Sequence, residues 1–289
     1  MMRRVLIGGG IALMVLLIFW IGLMVHFPGE ALSTYAERRM GAALGRTVRL
    51  SPAALRGLSV TVARIDIPPL PGTAARGAGV TLSDVRLSLL GLGALPLRAR
   101  IGEAGQLSAS WSWLHGGVQF SATDVPLDAL SGLGGSQPMR VQGLASLQAR
   151  LARLPDGPPQ RWPRLPDGAV SGQLADVTMQ GFEAIGQTLP PLSFSRVDFT
   201  ATLGENVEIT QVALSGDIDG QISGQVTPRM AQLGQSRINL QVRATPKPAW
   251  MQRLGGLQPM VQGFLQDGRL DAVLQGTLAN PSFRPARSS

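Results

Sequence analysis

The side chains that could do chemistry are few and widely separated. The chain has two histidines, His26 and His115, and neither lies at metal-ligand spacing from another His, Asp or Glu. There is no Cys, which excludes disulfides, thiolate metal sites and thiol nucleophiles. No G-x-S-x-G motif marks a hydrolase serine, and the glycines at 132–135 do not lead into the Lys-Ser or Lys-Thr pair of a phosphate loop.

One pair of carboxylates has a spacing that could support acid–base chemistry. Asp217 and Asp219 lie two residues apart in an alternating stretch, which predicts that they point to the same side. Solvated aspartates beside a turn give the same pattern and are far commoner. We therefore expect no enzymatic activity, cofactor or metal. A periplasmic enzyme whose catalytic groups assemble from distant residues is the alternative.

The first element along the chain is an uncharged run over residues 5–25, preceded by Arg3 and Arg4. Its length matches the roughly 20 residues that a helix needs to cross a bilayer. Positive charge beside a span stays on the cytoplasmic side, so Arg3 and Arg4 predict that the rest of the chain lies across the membrane. The alternative is a cleaved signal peptide, whose apolar core is shorter. The residues assigned to this anchor are Val5, Trp20 and Val25.

Composition narrows the classes of partner. The formal charge is +8, but Lys247 is the only lysine and the arginines are scattered. Only 5% of residues are aromatic, which argues against stacking of nucleic-acid bases. Attraction to anionic phospholipid headgroups fits this charge better. A hydrophobic content of 44% is too high for a disordered chain.

The anchor over 1–27 is followed by helical spacing over 28–46, beginning at Pro28. This helix is predicted either to rest near the membrane or to cap a sheet. From residue 47 the hydrophobic period changes to two, which predicts strands with one buried and one solvated face. The alternation slips by one residue within 62–65 and again within 82–85, which predicts β-bulges.

A proline-rich linker over 154–168 divides a first β-rich portion, 47–153, from a second, 169–289. Within the second, VSGQL at 170–174 recurs as ISGQV at 222–226 and LQGTL at 274–278. Three Asp-Gly pairs, beginning at 167, 219 and 267, favour tight hairpin turns. Helical spacing returns over 246–268, which predicts short covering helices or, alternatively, a partner-binding helix. The predicted fold is mainly β, with a curved, mostly antiparallel sheet or β-sandwich after the anchor.

Four stretches carry a resemblance to a known family. They are the anchor running into 26–28, the segment DVPLDAL at 124–130, the segment 214–248 with LSGDIDGQISGQVTPR, and DGRLDAVLQGTLANPSFRP at 267–285. In these the chain resembles type II secretion system protein N (GspN). The closing GTLANPSF is also similar to the wider AsmA-like group of envelope proteins.

The resemblance implies a single-pass protein of the bacterial inner membrane, with its N-terminus in the cytoplasm and most of the chain in the periplasm. Its role would be that of a non-enzymatic accessory of type II protein secretion, in contact with other secretion subunits. The rival is an AsmA-like protein that binds or transfers phospholipid in an apolar β-groove. The residues predicted to line such a groove are Ile222, Val226, Leu240 and Val242. A groove open to solvent would favour lipid, whereas a closed sandwich would favour a protein partner.

Overall fold

The protein is described by a computed structural model, 62% of which is β-strand. The described residues are 28–44, 47–68, 79–89, 93–112, 114–130, 140–153, 164–181, 183–184, 187–229 and 232–285. The predicted anchor, with Arg3, Arg4, Val5, Trp20 and Val25, lies outside these residues. Among the helices that are described, none has the length and apolar character needed to cross a bilayer.

The described elements are four α-helices, two 3-10 helices (Leu233–Gln235 and Gly255–Leu257) and seventeen strands. The helices are α1 (Gly29–Leu44), α2 (Leu127–Leu130), α3 (Pro248–Arg253) and α4 (Gln258–Gln262). The strands are β1 (Arg49–Leu50), β2 (Ala53–Arg56), β3 (Ser59–Ile67), β4 (Val80–Ser88), β5 (Ala94–Ile101), β6 (Gly105–Ser112), β7 (Val118–Pro126), β8 (Arg140–Leu151), β9 (Gly168–Gln180), β10 (Glu183–Ala184), β11 (Gln187–Thr188), β12 (Leu192–Leu203), β13 (Val207–Gly216), β14 (Ile218–Thr227), β15 (Arg237–Pro246), β16 (Leu270–Thr277) and β17 (Pro281–Pro285).

Fifteen of the strands form one curved antiparallel sheet, so the sheet is the correct member of the two predicted architectures. From β2 onward, strands that follow one another along the chain are neighbours in it, apart from the small β10–β11 hairpin. β1 and β2 together line the outer edge of β3. β8 and β9 pair directly from Leu151 and Gly168 onward, on either side of the proline-rich segment. The two β-rich portions therefore belong to one continuous sheet.

Because the chain reverses at each strand, the sheet has two opposite rims. We call one the packed rim, because most of the fully buried residues of the sheet lie near it. Its buried residues include Val80, Ile101, Val125, Val177 and Phe194. We call the other the open rim, which carries the hairpin tips at 57–58, 114–117 and 204–206, together with Leu89 at the end of β4 and Gly93 before β5.

Three β-bulges near the packed rim share a sequence, an aspartate followed by a valine. Asp84, Asp124 and Asp176 have φ of 50°, 52° and 51°, a left-handed conformation that aspartate tolerates better than most residues. Register shifts accompany all three aspartates. The valines that follow them are buried on one face of the sheet: Val85, Val125 and Val177. Bulges bend and twist strands, so this repeated unit contributes to the curvature.

The bulge predicted within 82–85 is therefore confirmed, in the pairing of β4 with β5. The bulge predicted within 62–65 is wrong, because β3 keeps one register with β4 and with the strands on its outer edge through these residues. Of the three Asp-Gly pairs, only Asp267-Gly268 adopts the left-handed turn. The other two predictions of tight turns are wrong, because Gly168 begins β9 and Asp219-Gly220 lies inside β14.

Short helices cover parts of the sheet, as expected. The carboxylate of Glu37 in α1 accepts a hydrogen bond from the backbone N–H of Leu50, at 2.6 Å. Met40 packs against a buried cluster that includes Val48 and Ile65, so α1 caps the first end of the sheet. α3 buries Trp250, Met251 and Leu254 against residues that include Leu192 and Ile218 at the packed rim. These contacts support the interpretation of 246–268 as a covering segment.

Candidate functional site: an apolar face of the sheet

The strand register collects apolar side chains on one face across the whole sheet. Residues that are Cα partners across neighbouring strands point to the same face. Following these partners from β2 to β17 gives one unbroken row of apolar or glycine residues. The row is Leu55, Val60, Leu87, Leu97, Ala109, Phe120, Ala149, Val170, Ala201, Ile209, Gly224, Leu240, Leu274 and Phe283. We call the surface around this row the apolar face.

The opposite face is polar along the neighbouring row. Its residues, from β3 to β13, are Thr61, Arg86, Arg98, Ser108, Ser121, Gln148, Ser171, Thr200 and Gln211. A sheet with one apolar and one polar face normally packs its apolar face on a second layer. Here all fifteen strands lie in a single sheet, and the short described helices lie at its ends and at the packed rim.

Burial distinguishes the middle of the apolar face from its margin. No residue of the row from Leu55 to Phe283 is fully buried, and thirteen of its fourteen members are partly exposed. The fully buried valines of the Asp-Val bulges lie closer to the packed rim, in three separate clusters. Side chains of the apolar face are therefore fully buried near the packed rim and partly exposed to solvent in the middle of the sheet.

The structure brings the four predicted groove residues together on this face. Ile222 and Val242 are direct partners on β14 and β15, and Val226 and Leu240 lie on the same side of those strands. All four are partly buried. Their placement follows the predicted alternation, whereas their role in binding remains a prediction.

The recurring segments VSGQL, ISGQV and LQGTL place a glycine on the apolar face each time. A Cβ at Gly172, Gly224 or Gly276 would lie within 2.2–2.7 Å of a backbone oxygen on the neighbouring strand or turn, so no side chain fits there. The ring of Phe199 lies over Gly172 instead, within 2.6–2.8 Å of that hypothetical Cβ. At these glycines the backbone of the neighbouring strand or turn, and at Gly172 also the ring of Phe199, occupies the space that a side chain would need.

Asp217 and Asp219 have structural partners. Asp217 accepts the backbone N–H of Ser193 at 2.8 Å and pairs with Arg253 Nη2 at 2.5 Å. Asp219 accepts the backbone N–H of Gly216 at 3.0 Å and lies 3.3 Å from Lys247 Nζ. The Gly216 hydrogen bond and then the Lys247 charge lower the pKa of Asp219 below its usual value. These contacts join the β13–β14 turn to β12 and α3.

A shallow depression on the polar face is lined by arginines. Arg86 and Arg98 are direct cross-strand partners, and no carboxylate of the described residues forms a salt bridge with either. Arg100 pairs with Asp84 at 3.8 Å in the same depression. Like charges directly opposite one another destabilise a sheet, so Arg86 and Arg98 favour a nearby anion.

His115 lies exposed at a hairpin tip, where its Nδ1 is 3.4 Å from Ser112 Oγ. In the part of the chain that the structure describes, no three His, Cys, Asp or Glu side chains converge as a metal site would require. Comparisons of the chain with protein-family models, with curated proteins and with solved structures found no match. Function is therefore argued from the two faces of the sheet.

Sequence reasoning missed two features of this site. The first is the Asp-Val unit, whose signal is an aspartate at the point where the alternation slips, followed by a valine. The second is that the apolar face runs without a break from β2 to β17. Alternation within each strand was readable, but the joining of all strands into one face depends on the order and register of the pairing.

Proposed function

We propose that the apolar face binds the acyl chains of phospholipid, and that the protein holds or transfers lipid at the bacterial inner membrane. The observation that carries this proposal is the unbroken apolar row across a single-layer sheet with a partly exposed middle. Fourteen successive strands give thirteen spacings, and at about 4.8 Å each the face is roughly 60 Å long.

The size of the face supports a ligand. With about six residues of each strand contributing, the face has an area on the order of 1,000 Å². Apolar patches on monomeric proteins rarely exceed a few hundred Å² unless they bind something. Acyl chains match such a surface, because they are long and apolar and need no hydrogen-bonding groups.

Photo-crosslinking in proteoliposomes tests the proposal. The full chain is reconstituted with a phospholipid that carries a photoactivatable group in its acyl chain, and crosslinked peptides are mapped by mass spectrometry. We expect adducts at apolar-face positions such as Ile222 and Leu240, with the polar-face neighbour Gln241 unmodified. Leu240→Asp should reduce adducts on the sheet several-fold, whereas Gln241→Asp should leave them unchanged. Equal labelling of the two faces, or none on the sheet, would contradict lipid binding.

Action as an accessory of type II secretion is the second candidate. It is supported by the resemblance in 214–248 and 267–285, and by the outer edge of β17, which no described strand pairs. An unpaired edge can accept a strand from a partner subunit. A deletion strain would then retain folded substrates in the periplasm while its bulk lipids stay normal. Normal secretion combined with sheet-specific lipid adducts would reject this candidate in favour of lipid binding.

A further inference from the structure

The open rim carries a cluster of exposed apolar side chains in the first half of the sheet. Leu58, Leu89, Trp111 and Leu114 are 37%, 45%, 50% and 64% exposed. Single exposed apolar residues are ordinary, but a contiguous group at one edge indicates a contact surface. Except for Trp111, at the end of β6, these residues lie in hairpin tips or directly beside them.

The tips that carry these residues are in contact. The backbone N–H of Leu89 donates to the carbonyl of Leu58 at 2.9 Å. A Cβ at Gly93 would lie 2.9 Å from Leu114 Cδ1, so the tip at 114–117 rests against Gly93, directly before β5. Trp111 is the Cα partner of Leu95 and lies on the apolar face at its open-rim end. The four side chains thus form one margin, which we call the rim cluster, and it is continuous with the apolar face.

Charge is distributed unevenly along these strands. The acidic residues between 47 and 126 are Asp66, Asp84, Glu103 and Asp124, and all lie in the half of the strands nearer the packed rim. Arginines lie toward both rims, and those nearer the open rim include Arg56 at the end of β2 and Arg86, three residues from Leu89. An apolar margin that includes an aromatic residue and has Arg56 and Arg86 near it complements an anionic lipid surface.

The position of α1 places the start of the described chain nearer the open rim. α1 begins at Gly29, which packs against the carbonyl of Ala53, and by Glu37 it has reached Leu50. β2 runs from Ala53 toward the open rim, whereas Leu50 pairs with Ile65 toward the packed rim. The first turn of α1 therefore lies nearer the open rim than its later turns do. The 27 residues before Pro28 include the run predicted to span the membrane.

We propose that the rim cluster docks onto the surface of the same bilayer that holds the predicted anchor. The apolar tips insert among the lipids, Trp111 lies at the headgroup level, and Arg86 and Arg98 attract anionic phospholipid. Docking would place the open margin of the apolar face against the bilayer. This proposal goes beyond lipid binding by the face and can succeed or fail separately from it.

The absence of cysteine from the chain allows a direct test. Single variants Leu58→Cys and Leu114→Cys of the full chain are labelled with an environment-sensitive fluorophore in vesicles of phosphatidylcholine with or without phosphatidylglycerol. Quenching is measured with lipids brominated near the headgroup end of the acyl chain and with aqueous iodide. The matched control is Leu278→Cys, since Leu278 is 52% exposed in a turn at the same rim but near the far end of the sheet.

We expect brominated lipid to quench Leu58 and Leu114 labels several-fold more strongly than the Leu278 label, with iodide showing the reverse order. Arg86→Gln combined with Arg98→Gln should reduce that quenching only in vesicles that contain phosphatidylglycerol. Iodide access equal to that of Leu278 at both tips would overturn the proposal. So would tips shielded from iodide but not quenched by lipid, which would indicate a second copy or another protein.

A label at Ile222→Cys separates the two proposals. Quenching there without quenching at Leu58 and Leu114 would support lipid on the apolar face and overturn docking by the rim cluster. Quenching at the tips without quenching at Ile222 would support docking and count against acyl chains on the face.

Discussion

The two halves of the sheet differ in how many Asp-Val bulges they contain and in which residues they place on the open rim and the apolar face. The half up to β8 curves through the bulges at Asp84 and Asp124, and its open rim carries exposed Leu and Trp side chains. The half from β9 onward has one such bulge, at Asp176, and places three recurring glycines on the apolar face.

The halves also differ in how their polar groups are partnered. In the second half, Asp217 and Asp219 are each satisfied by a backbone N–H and a basic side chain. In the first half, Arg86 and Arg98 face one another across β4 and β5, and neither forms a salt bridge with a carboxylate of the described residues. The two aspartates of the β13–β14 turn are therefore paired within the sheet, whereas Arg86 and Arg98 have no carboxylate partner among the described residues.

The largest expected effect is a loss of stability when a charge is placed near the packed rim, compared with a charge placed in the middle of the apolar face. Val125 is 2% exposed, so Val125→Asp would bury an unpaired charge and lower the free energy of unfolding by about 3 kcal/mol or more. Ile222 is partly exposed, so Ile222→Asp should cost roughly 1–2 kcal/mol. Urea unfolding of the full chain in nanodiscs, followed by circular dichroism, measures both.

Gln221→Asp is the control for that series. Gln221 is exposed on the polar face opposite Arg243, so the change should alter stability by less than about 0.5 kcal/mol. A loss at Gln221 as large as that at Ile222 would contradict the register of β14. Equal losses at Val125 and Ile222 would mean that the middle of the face is covered.

Gly224→Ala should have the next largest effect, because it tests the close packing of the second half. Gly224 has φ of 137°, and a Cβ there would lie 2.2 Å from the carbonyl oxygen of Asn239. We expect a loss of about 2–3 kcal/mol in the same unfolding measurement. Gly256→Ala is the matched control, since a Cβ at Gly256 meets nothing within 4 Å. A near-neutral Gly224→Ala would show that β14 and β15 are farther apart than described.

A bulge substitution in the first half should have a smaller effect. Asp124→Ile places a β-branched residue at φ of 52° and should cost about 1–2 kcal/mol. Asp124→Gly should be tolerated, because glycine adopts this conformation freely. Thr123→Ile, at the preceding exposed position, controls for the added apolar surface. If Ile is tolerated equally well at both positions, the left-handed bulge is not required.

The smallest expected effect is the contribution of Asp219 to acid stability. Its pKa is lowered in the folded state, first by the Gly216 N–H and then by Lys247. A lowered folded pKa gives stability that is present above the unfolded value, near pH 4, and is lost as the pH falls through the folded value. Asp219→Asn should remove this part of the acid dependence, measured as unfolding midpoints from about pH 5 to pH 2.

Lys247→Met is the comparison variant for Asp219→Asn. It should retain most of the dependence, because the Gly216 hydrogen bond is the larger cause. Complete loss in Lys247→Met would instead assign the effect to the charge pair.

The sequence by itself determined the elements with a strong local signal. Alternation in 80–89 and 197–203 marked strands and their apolar sides, because side chains in a strand point to opposite faces in turn. Pro28 and the helical spacing after it marked α1, and the slip within 82–85 marked a bulge. The side of β14 and β15 that carries Ile222, Val226, Leu240 and Val242 was also readable, since it depends only on residues within each strand.

Tertiary structure alone decided how those strands combine. Alternation does not specify which strands pair, so the sequence left a single sheet and a sandwich equally open. The proline-rich segment resembled a boundary, yet β8 and β9 pair across it because backbone hydrogen bonds depend on spatial proximity and not on the length of the connection. The adjacency of Leu58, Leu89 and Leu114 likewise arises from the order of the hairpins, which brings residues more than fifty positions apart to one rim.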